Sequence, residues 1–372
     1  MKLTIERAAL QKALAHVQSV VERRTTIPIL SNVLVEARGD VLSLAATDMD
    51  IAILEKVPAE IGAPGETTLP AHTLYDIVRK LPEGAQIELE GEGEGKRLEL
   101  KAGRSKFTLS SLPTEEFPVL DDGELPHSFS LPASDLRALI ERTRFAMSTE
   151  ETRYYLNGIY LHAAESDGIK VLRIVATDGH RLAQVEMPQP EGAADIPGVI
   201  VPRKAVAELH KLIEDSDETV AISLSDTRIR FAFDHVVLTS KLVDGTFPDY
   251  QRVIPEGNDK IMEVDCAAFA EAVDRVSTIS TEKSRAVKVE IDKGRLTLTA
   301  SSPEHGTATE ELEVKYDSDP IEIGFNSRYL LDITQQIEGG TVRIDLADAS
   351  APTIVRDIAD NSALYVLMPM RV

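Results

Sequence analysis

Residues 1–23 read MKLTIERAALQKALAHVQSVVER, residues 128–147 read SFSLPASDLRALIERTRFAM, and residues 261–280 read IMEVDCAAFAEAVDRVSTIS. Each stretch begins as a short alternating strand and continues as a one-sided helix. In the first, Lys2-Leu3-Thr4-Ile5-Glu6 precedes Leu10, Leu14, Val17 and Val21 at helical spacing. The second passes from Phe129 and Leu131 to Leu136, Leu139 and Ile140; the third passes from Met262 and Val264 to Phe269, Val273 and Val276. A second strand-to-helix unit follows each: Thr68-Leu69-Pro70 into 71–81, Ile200-Val201-Pro202 into 203–214, and Ile323-Gly324-Phe325 into 326–337. Ala46-Thr47-Asp48 returns 130 residues later as Ala176-Thr177-Asp178, Phe117-Pro118 returns 130 later as Phe247-Pro248, and Asn326 follows Arg203 by 123. A copy of about 120 residues buries a core of its own, so the repeat is a domain and not a solenoid unit. Three similar domains, each built from two similar halves, give six strand–helix units, an architecture for enclosing something.

The strands read as antiparallel. Residues 42–44, 98–101, 107–110, 220–224, 287–291 and 296–299 alternate with period two, which means one covered face and one wet face. Turns are expected at Arg38-Gly39-Asp40, Ser166-Asp167-Gly168, Asp292-Lys293-Gly294 and Gly339-Gly340, and an acidic hairpin tip at residues 91–95. Narrow apolar stripes such as Leu74/Ile77/Val78/Leu81 predict helices docked by one side. The expected class is therefore α+β, with two helices on an antiparallel sheet in each domain. Proline-containing joints at 113–127 and 244–260 suit linkers, giving domains at 1–120, 128–250 and 254–372.

No run of about 18 apolar residues is present, so no membrane span is expected. The N-terminal stretch carries Glu6 and Arg7 early and lacks a long apolar segment, unlike a signal peptide; a cytoplasmic protein is expected. The single cysteine, Cys266, excludes an intramolecular disulfide and a cysteine zinc cluster, and reads as a small buried side chain. The chain holds 62 acidic and 40 basic residues, a net charge of −22 that looks hostile to nucleic acid. The distribution matters more than the sum. Helices expected at 6–24, 71–81, 133–147, 202–214, 265–280 and 326–338 carry 14 basic and 12 acidic residues, so the negative excess lies elsewhere. Those basic side chains read either as solvated faces or, if six equivalent helices line one side, as a single positive field.

Asp178-Gly179-His180-Arg181 and Asp48-Met49-Asp50 invite an enzymatic or metal reading. No phosphate loop, nucleophile elbow or paired-histidine spacing supports it. Asp48 and Asp178 hold the same repeat position, and a strand-end turn explains both. Neither a catalytic residue nor a cofactor is expected. A non-DNA adaptor of three domains is the other reading the residues leave open.

Several segments resemble the bacterial DNA polymerase III beta subunit family, the sliding clamps. They are residues 1–7, Pro28-Ile29-Leu30-Ser31-Asn32, Arg153-Tyr154-Tyr155-Leu156-Asn157-Gly158, Ala176-Thr177-Asp178-Gly179-His180-Arg181-Leu182-Ala183, Phe247-Pro248-Asp249-Tyr250 and Tyr365-Val366-Leu367-Met368-Pro369-Met370-Arg371-Val372. The resemblance covers essentially the whole chain. It implies three domains per chain, closed head to tail as a homodimeric ring with helices lining the hole. It implies a non-catalytic processivity factor on duplex DNA, with a clamp loader (delta subunit), the replicative polymerase alpha subunit, translesion polymerases and mismatch-repair proteins as partners.

The resemblance also implies residue roles. Arg24, Tyr154, Tyr155, Arg203 and Lys204 would face DNA. Leu156, Thr177, Gly179, His180, Arg181, Leu182, Pro248, Arg252 and Val253 would form one side of a partner-peptide cleft. Val366, Leu367, Met368, Pro369, Met370 and Arg371 would form another wall, joined by Asn326 and Tyr329. Arg104, Lys106, Phe107 and Leu109 would meet Ile279, Glu304 and Glu310 of a second copy. Ser284, and Ala351-Pro352, depart from the family at the cleft edge and bear on which peptides it prefers.

Overall fold

The computed structural model describes residues 1–91, 97–118, 123–280 and 285–372. Ser284 and most of the acidic tip at 91–95 therefore lie outside the described residues. The first repeat opens with β1 (Lys2–Glu6), α1 (Arg7–Val17), β2 (Asn32–Arg38), β3 (Val41–Thr47), β4 (Ile51–Pro58) and β5 (Glu60–Ala63). It closes with β6 (Gly65–Pro70), α2 (Ala71–Lys80), β7 (Gln86–Gly91), β8 (Arg97–Ala102) and β9 (Ser105–Ser110). The second runs β10 (His127–Pro132), α3 (Ala133–Arg144), β11 (Gly158–Ser166), β12 (Ile169–Thr177) and β13 (Arg181–Pro188). It continues with β14 (Val199–Pro202), α4 (Arg203–Leu212), β15 (Thr219–Leu224), β16 (Arg228–Phe233) and β17 (Val236–Lys241). The third runs β18 (Lys260–Asp265), α5 (Cys266–Ser277), β19 (Ala286–Asp292), β20 (Arg295–Ser302) and β21 (Gly306–Glu313). It ends with β22 (Ile321–Asn326), α6 (Ser327–Thr334), β23 (Thr341–Leu346), β24 (Thr353–Asp357) and β25 (Asp360–Leu367).

Each repeat deals its strands to two antiparallel sheets by one rule. The first strand joins the last three, and the strand before the second helix joins the three after the first helix. In repeat 1 the first set forms the sheet β5-β1-β7-β8-β9, with β5 added at one edge. The other set of repeat 1 continues into repeat 2 as the eight-stranded sheet β10-β15-β16-β17-β4-β3-β2-β6. Repeats 2 and 3 share a second, β14-β11-β12-β13-β25-β24-β23-β18, and β21-β20-β19-β22 remains from repeat 3. Because the joints β17–β4 and β13–β25 are continuous ladders, the chain packs as two units and the middle repeat contributes to both. One unit is Met1–Leu136 with Pro190–Pro197 and Lys204–Leu242; the other is Arg137–Gln189 with Gly198–Arg203 and Val243–Val372.

Local chemistry sets the helix starts. Glu6 accepts the Ala9 amide, Asp265 the Ala268 amide and Asn326 the Arg328 amide, each filling one orphan donor of α1, α5 and α6. The N-cap role of Asn326 makes Ser327 the counterpart of Arg203, one residue later than the spacing of 123 suggests. Apolar stripes turn inward: Leu10, Ala13, Leu14 and Val17 on α1, and Phe269, Ala272, Val273 and Val276 on α5. The helices stop earlier than the periodicity predicts. After Val17, Ser19 Oγ donates back to the His16 carbonyl at 2.6 Å, and buried Val20 and Val21 turn the chain inward, so Arg23 and Arg24 lie beyond α1.

The turns at Gly39, Asp167-Gly168 and Gly294 have the positive φ that tight hairpins need. Gly339-Gly340 instead links α6 to β23 and is no hairpin. The joint at 244–260 is not a plain linker either, since Phe247 and Tyr250 are buried; Phe117 of the first joint is likewise buried, against Ile29 and Leu30. The repeated Phe-Pro thus anchors each joint to a core. Cys266 is buried and free, and burial pushes its thiol up to about 11. No helix among the described residues is long and apolar enough to cross a membrane.

Candidate functional site

The repeated Ala-Thr-Asp builds the same turn twice. In the second copy Thr177 Oγ1 donates to the Arg181 carbonyl at 2.7 Å and accepts the Gly179 amide, while Asp178 accepts the amides of His180 and Arg181. In the first copy Thr47 and Asp48 make the matching bonds to Ile51, Met49 and Asp50. The third turn residue has positive φ in both, +87° at Gly179 and +82° at Met49. In each aspartate Oδ1 accepts the two turn amides, as a turn explanation requires, while Oδ2 takes a cation, Lys204 at Asp48 and Arg181 at Asp178.

After each turn a neighbouring strand ends, and there the two joints diverge. The Lys241 amide bonds the Asp50 carbonyl at 2.8 Å, and the Met368 amide bonds the His180 carbonyl at 2.9 Å. At the first joint Lys241 Nζ pairs with Asp50 at 2.9 Å and Lys204 pairs with Asp48, so charge closes the surface. At the second, Met368-Pro369-Met370 follows β25 and leaves an apolar edge. The Met370 amide then bonds the Gly324 carbonyl on β22, holding the tail in place.

Beneath that edge lies a buried floor of Leu156, Leu182 and Val366 with Val175, Ile200, Phe247 and Tyr250; Leu182 and Val366 face each other across β13–β25. Leu367 and Thr177 are also buried, whereas Gly179, His180, Pro248, Arg252, Val253, Met368 and Arg371 are exposed and Pro369 and Met370 half-buried. Half-buried Tyr329 lies nearly parallel to the His180 ring at 6.4 Å. Asn326 is committed to capping α6. Ala351-Pro352 falls in the turn before β24. All the cleft residues inferred from the resemblance lie in one packing unit.

Sequence reading missed the supports. Tyr250 Oη bonds both Arg173 Nη1 and His162 Nε2, and burial lowers His162 to about 4, which keeps the ring neutral. Phe145 and Asp332 hold Arg181, a contact with no local sequence signature.

Among the residues assigned to DNA, Arg24 and Arg203 are exposed. Tyr154 is exposed and meets Tyr155 edge-on at 5.7 Å, and a Cβ at position 245 would crowd the Tyr154 ring and the Tyr155 Cβ, so glycine there leaves room for the pair. Lys204 is engaged by Asp48, Glu22 and the Val20 carbonyl. Arg142 is bound to Asp360 at 2.6 Å and so is a structural pin. With the observed bounds, α1 to α4 hold ten basic and four acidic residues, so the positive sign survives the shorter helices.

Among the described residues the edge strands β9 and β21 are each paired on one side only. Phe107 on β9 and Ala308, Glu310 and Leu312 on β21 are half-buried, while the corresponding Val236, Leu238, Ile51 and Ile53 of the β17–β4 joint are buried. Leu109 is buried, Ile279 half-buried, and Arg104 and Glu304 are exposed. Lys106 pairs with Glu99, and Glu310 with Arg275 at 2.6 Å.

Family models of the DNA polymerase III beta subunit match three segments: the N-terminal domain at residues 1–121, the central domain at 130–249 and the C-terminal domain at 251–371. The beta sliding clamp of Caulobacter vibrioides is 56% identical over all 372 residues of both chains. A crystal structure of the Caulobacter crescentus beta sliding clamp superposes with a TM-score of 0.98 at 56% identity, covering 100% of this chain and 99% of that one. A Bartonella birtlesii sliding clamp bound to griselimycin gives 0.97 at 51% identity, with both chains fully covered. The chain belongs to the DNA polymerase III beta subunit family, the bacterial sliding clamps.

Proposed function

We propose that two copies close head to tail into a ring around duplex DNA, in the cytoplasm, and that the ring tethers polymerases to their template without catalysing a reaction. The observation that carries this is the strand-pairing rule. The fourth strand of one sheet set in repeat 1, β4, pairs with the last strand of repeat 2, β17; β13 of repeat 2 pairs with β25 of repeat 3. The same rule joins β21 of repeat 3 to β9 of repeat 1 in the next copy, and two unpaired edges with half-buried apolar groups support that joint. Such a heterologous contact makes a ring if the rotation closes. Domains at 1–120, 128–250 and 254–372 would then be its six segments. Arg104, Lys106, Phe107 and Leu109 would face Ile279, Glu304 and Glu310 of the partner copy. Light scattering tests it: about 81 kDa, twice the 40.7 kDa chain, is expected, and 40.7 kDa at micromolar concentration contradicts it.

Within the ring, Arg24, Arg203, Lys204, Tyr154 and Tyr155 would touch DNA through phosphates and stacking, positioning without reading sequence. Enclosure, not affinity, prevents escape, so weak contacts suffice, and an ATP-driven loader containing the delta subunit must open the ring. The hold of Asp48 on Lys204 moderates one contact. Replacing Asp48→Asn should raise DNA affinity several-fold at low salt and steepen its salt dependence by roughly one released counterion per chain. An unchanged salt slope in fluorescence anisotropy would remove Lys204 from the DNA face.

The apolar edge around Met368 would take a short extended peptide. Leu and Phe anchors burying on the floor contribute roughly 1.5–3 kcal/mol each, and ordering costs reduce the total to an affinity near micromolar. Methionines repack around different ligands. This supports exchange among the polymerase alpha subunit, the delta subunit, translesion polymerases and mismatch-repair proteins.

A further inference from the structure

We propose that Asp332, on α6, is a positioning residue for the peptide groove, a role that rests on the groove reading above. Asp332 Oδ2 accepts from Arg181 Nη1 at 2.5 Å. The same guanidinium donates through Nε to Asp178 at 3.2 Å and through Nη2 to the Phe145 carbonyl at 2.7 Å, and its side chain is only 8% exposed. Its plane sits over the Tyr329 ring, 4.3 Å from the centroid. Arg181 also faces Leu367 in the β13–β25 ladder, one residue before the Met368 tail begins. One buried cation therefore fixes three walls: the 177–181 turn, Tyr329 on α6, and the strand that delivers the tail.

A planar guanidinium holds such an arrangement only while each donor edge has an acceptor. Asp332 is the acceptor on the α6 side, one helical turn after Tyr329, so it sets how Arg181 lies on that ring. Arg328 Nε reaches Asp332 at only 4.0 Å and is itself largely exposed, so it does not replace Arg181 as a partner. With asparagine at 332 the fixed charge is gone, Arg181 is drawn toward Asp178, and Tyr329 loses the cation that packs on its face. The groove then opens on its third-repeat side without any change to its apolar floor.

The test measures a fluorescent pentapeptide bearing Leu and Phe anchors binding to full-length protein. Asp332→Asn should weaken binding about tenfold, as expected for loss of one charge-assisted hydrogen bond. Asp332→Glu should stay within about threefold of wild type, because it keeps the carboxylate. In a Tyr329→Leu background, adding Asp332→Asn should cost less than about twofold, since the effect passes through that ring. Wild-type affinity in Asp332→Asn overturns the role, and so does a full tenfold loss in the Tyr329→Leu background, which marks general damage. Absence of peptide binding by the wild type overturns the groove reading itself, a result distinct from either.

Discussion

Removing Met368–Val372 is expected to abolish stimulation of a polymerase and to weaken peptide binding by at least about 100-fold, while the molecular mass in solution stays unchanged. The cut falls after Leu367, which is buried and still paired with Arg181 and Thr353, so β25 and the floor beneath the groove remain. What goes is the exposed Met368, the half-buried Pro369 and Met370, and two backbone hydrogen bonds, from Met368 to His180 and from Met370 to Gly324. Two partly exposed bonds contribute about 1–3 kcal/mol to stability, a modest part of what a domain holds. If the tail is a wall of the proposed groove, its loss removes the apolar surface against which an anchor would bury, at roughly 1.5–3 kcal/mol per anchor. A monomer after truncation would mean that the tail is structural; full polymerase stimulation would mean that partners bind elsewhere.

Phe107→Asp is expected to shift the protein from dimer to monomer and to end its retention on DNA. Phe107 is half-buried on the edge strand β9, on the same sheet face as buried Leu109. At the internal joints the matching positions are closed by a neighbouring strand. In the proposed ring a carboxylate placed there would meet Glu310 and the acidic run of β21 in the partner copy. Burying it unpaired costs several kcal/mol, enough to raise the dimer dissociation constant by about 100-fold or more. The lone chain should keep its fold, because only a side chain at the sheet edge changes. Sedimentation at several concentrations checks this, and an unaltered dimer would exclude β9 from the interface.

Much of the fold is legible in the sequence because the repeat writes its periodicities three times. Leu10, Leu14 and Val17 or Phe269, Val273 and Val276 fix one helix face each, and the spacing of 130 between the two Ala-Thr-Asp turns matches the spacing of their hydrogen bonds. Helix ends are less legible. Val21 continues the apolar rhythm of α1 yet belongs to the turn after it, since burial of Val20 and Val21 outweighs helix propensity. The split of the middle repeat between two packing units is invisible to periodicity, because a strand does not record which edge it pairs with. The exposed parts of the proposed groove, His180 and Met368, are named by motif. Its supports are not: Asp332 and Phe145 reach Arg181 from distant positions, and nothing in their local sequence marks them.

Charge shows the same limits. The overall value of −22 argues against DNA, while the helices carry the opposite sign. Only the structure distinguishes exposed Arg24 and Arg203 from Arg142, which is consumed by Asp360, and Lys204, which is shared with Asp48. Side-chain partners distant in sequence, not composition, decide which helix cations are already engaged within the chain.

Loading the protein onto nicked circular DNA and then cutting the circle with a restriction enzyme tests enclosure directly. Protein that encircles its substrate co-elutes with the circle through gel filtration at high salt and is lost once free ends exist. Equal retention on circle and linear product, or equal loss from both, would contradict a closed ring and leave only ordinary surface binding.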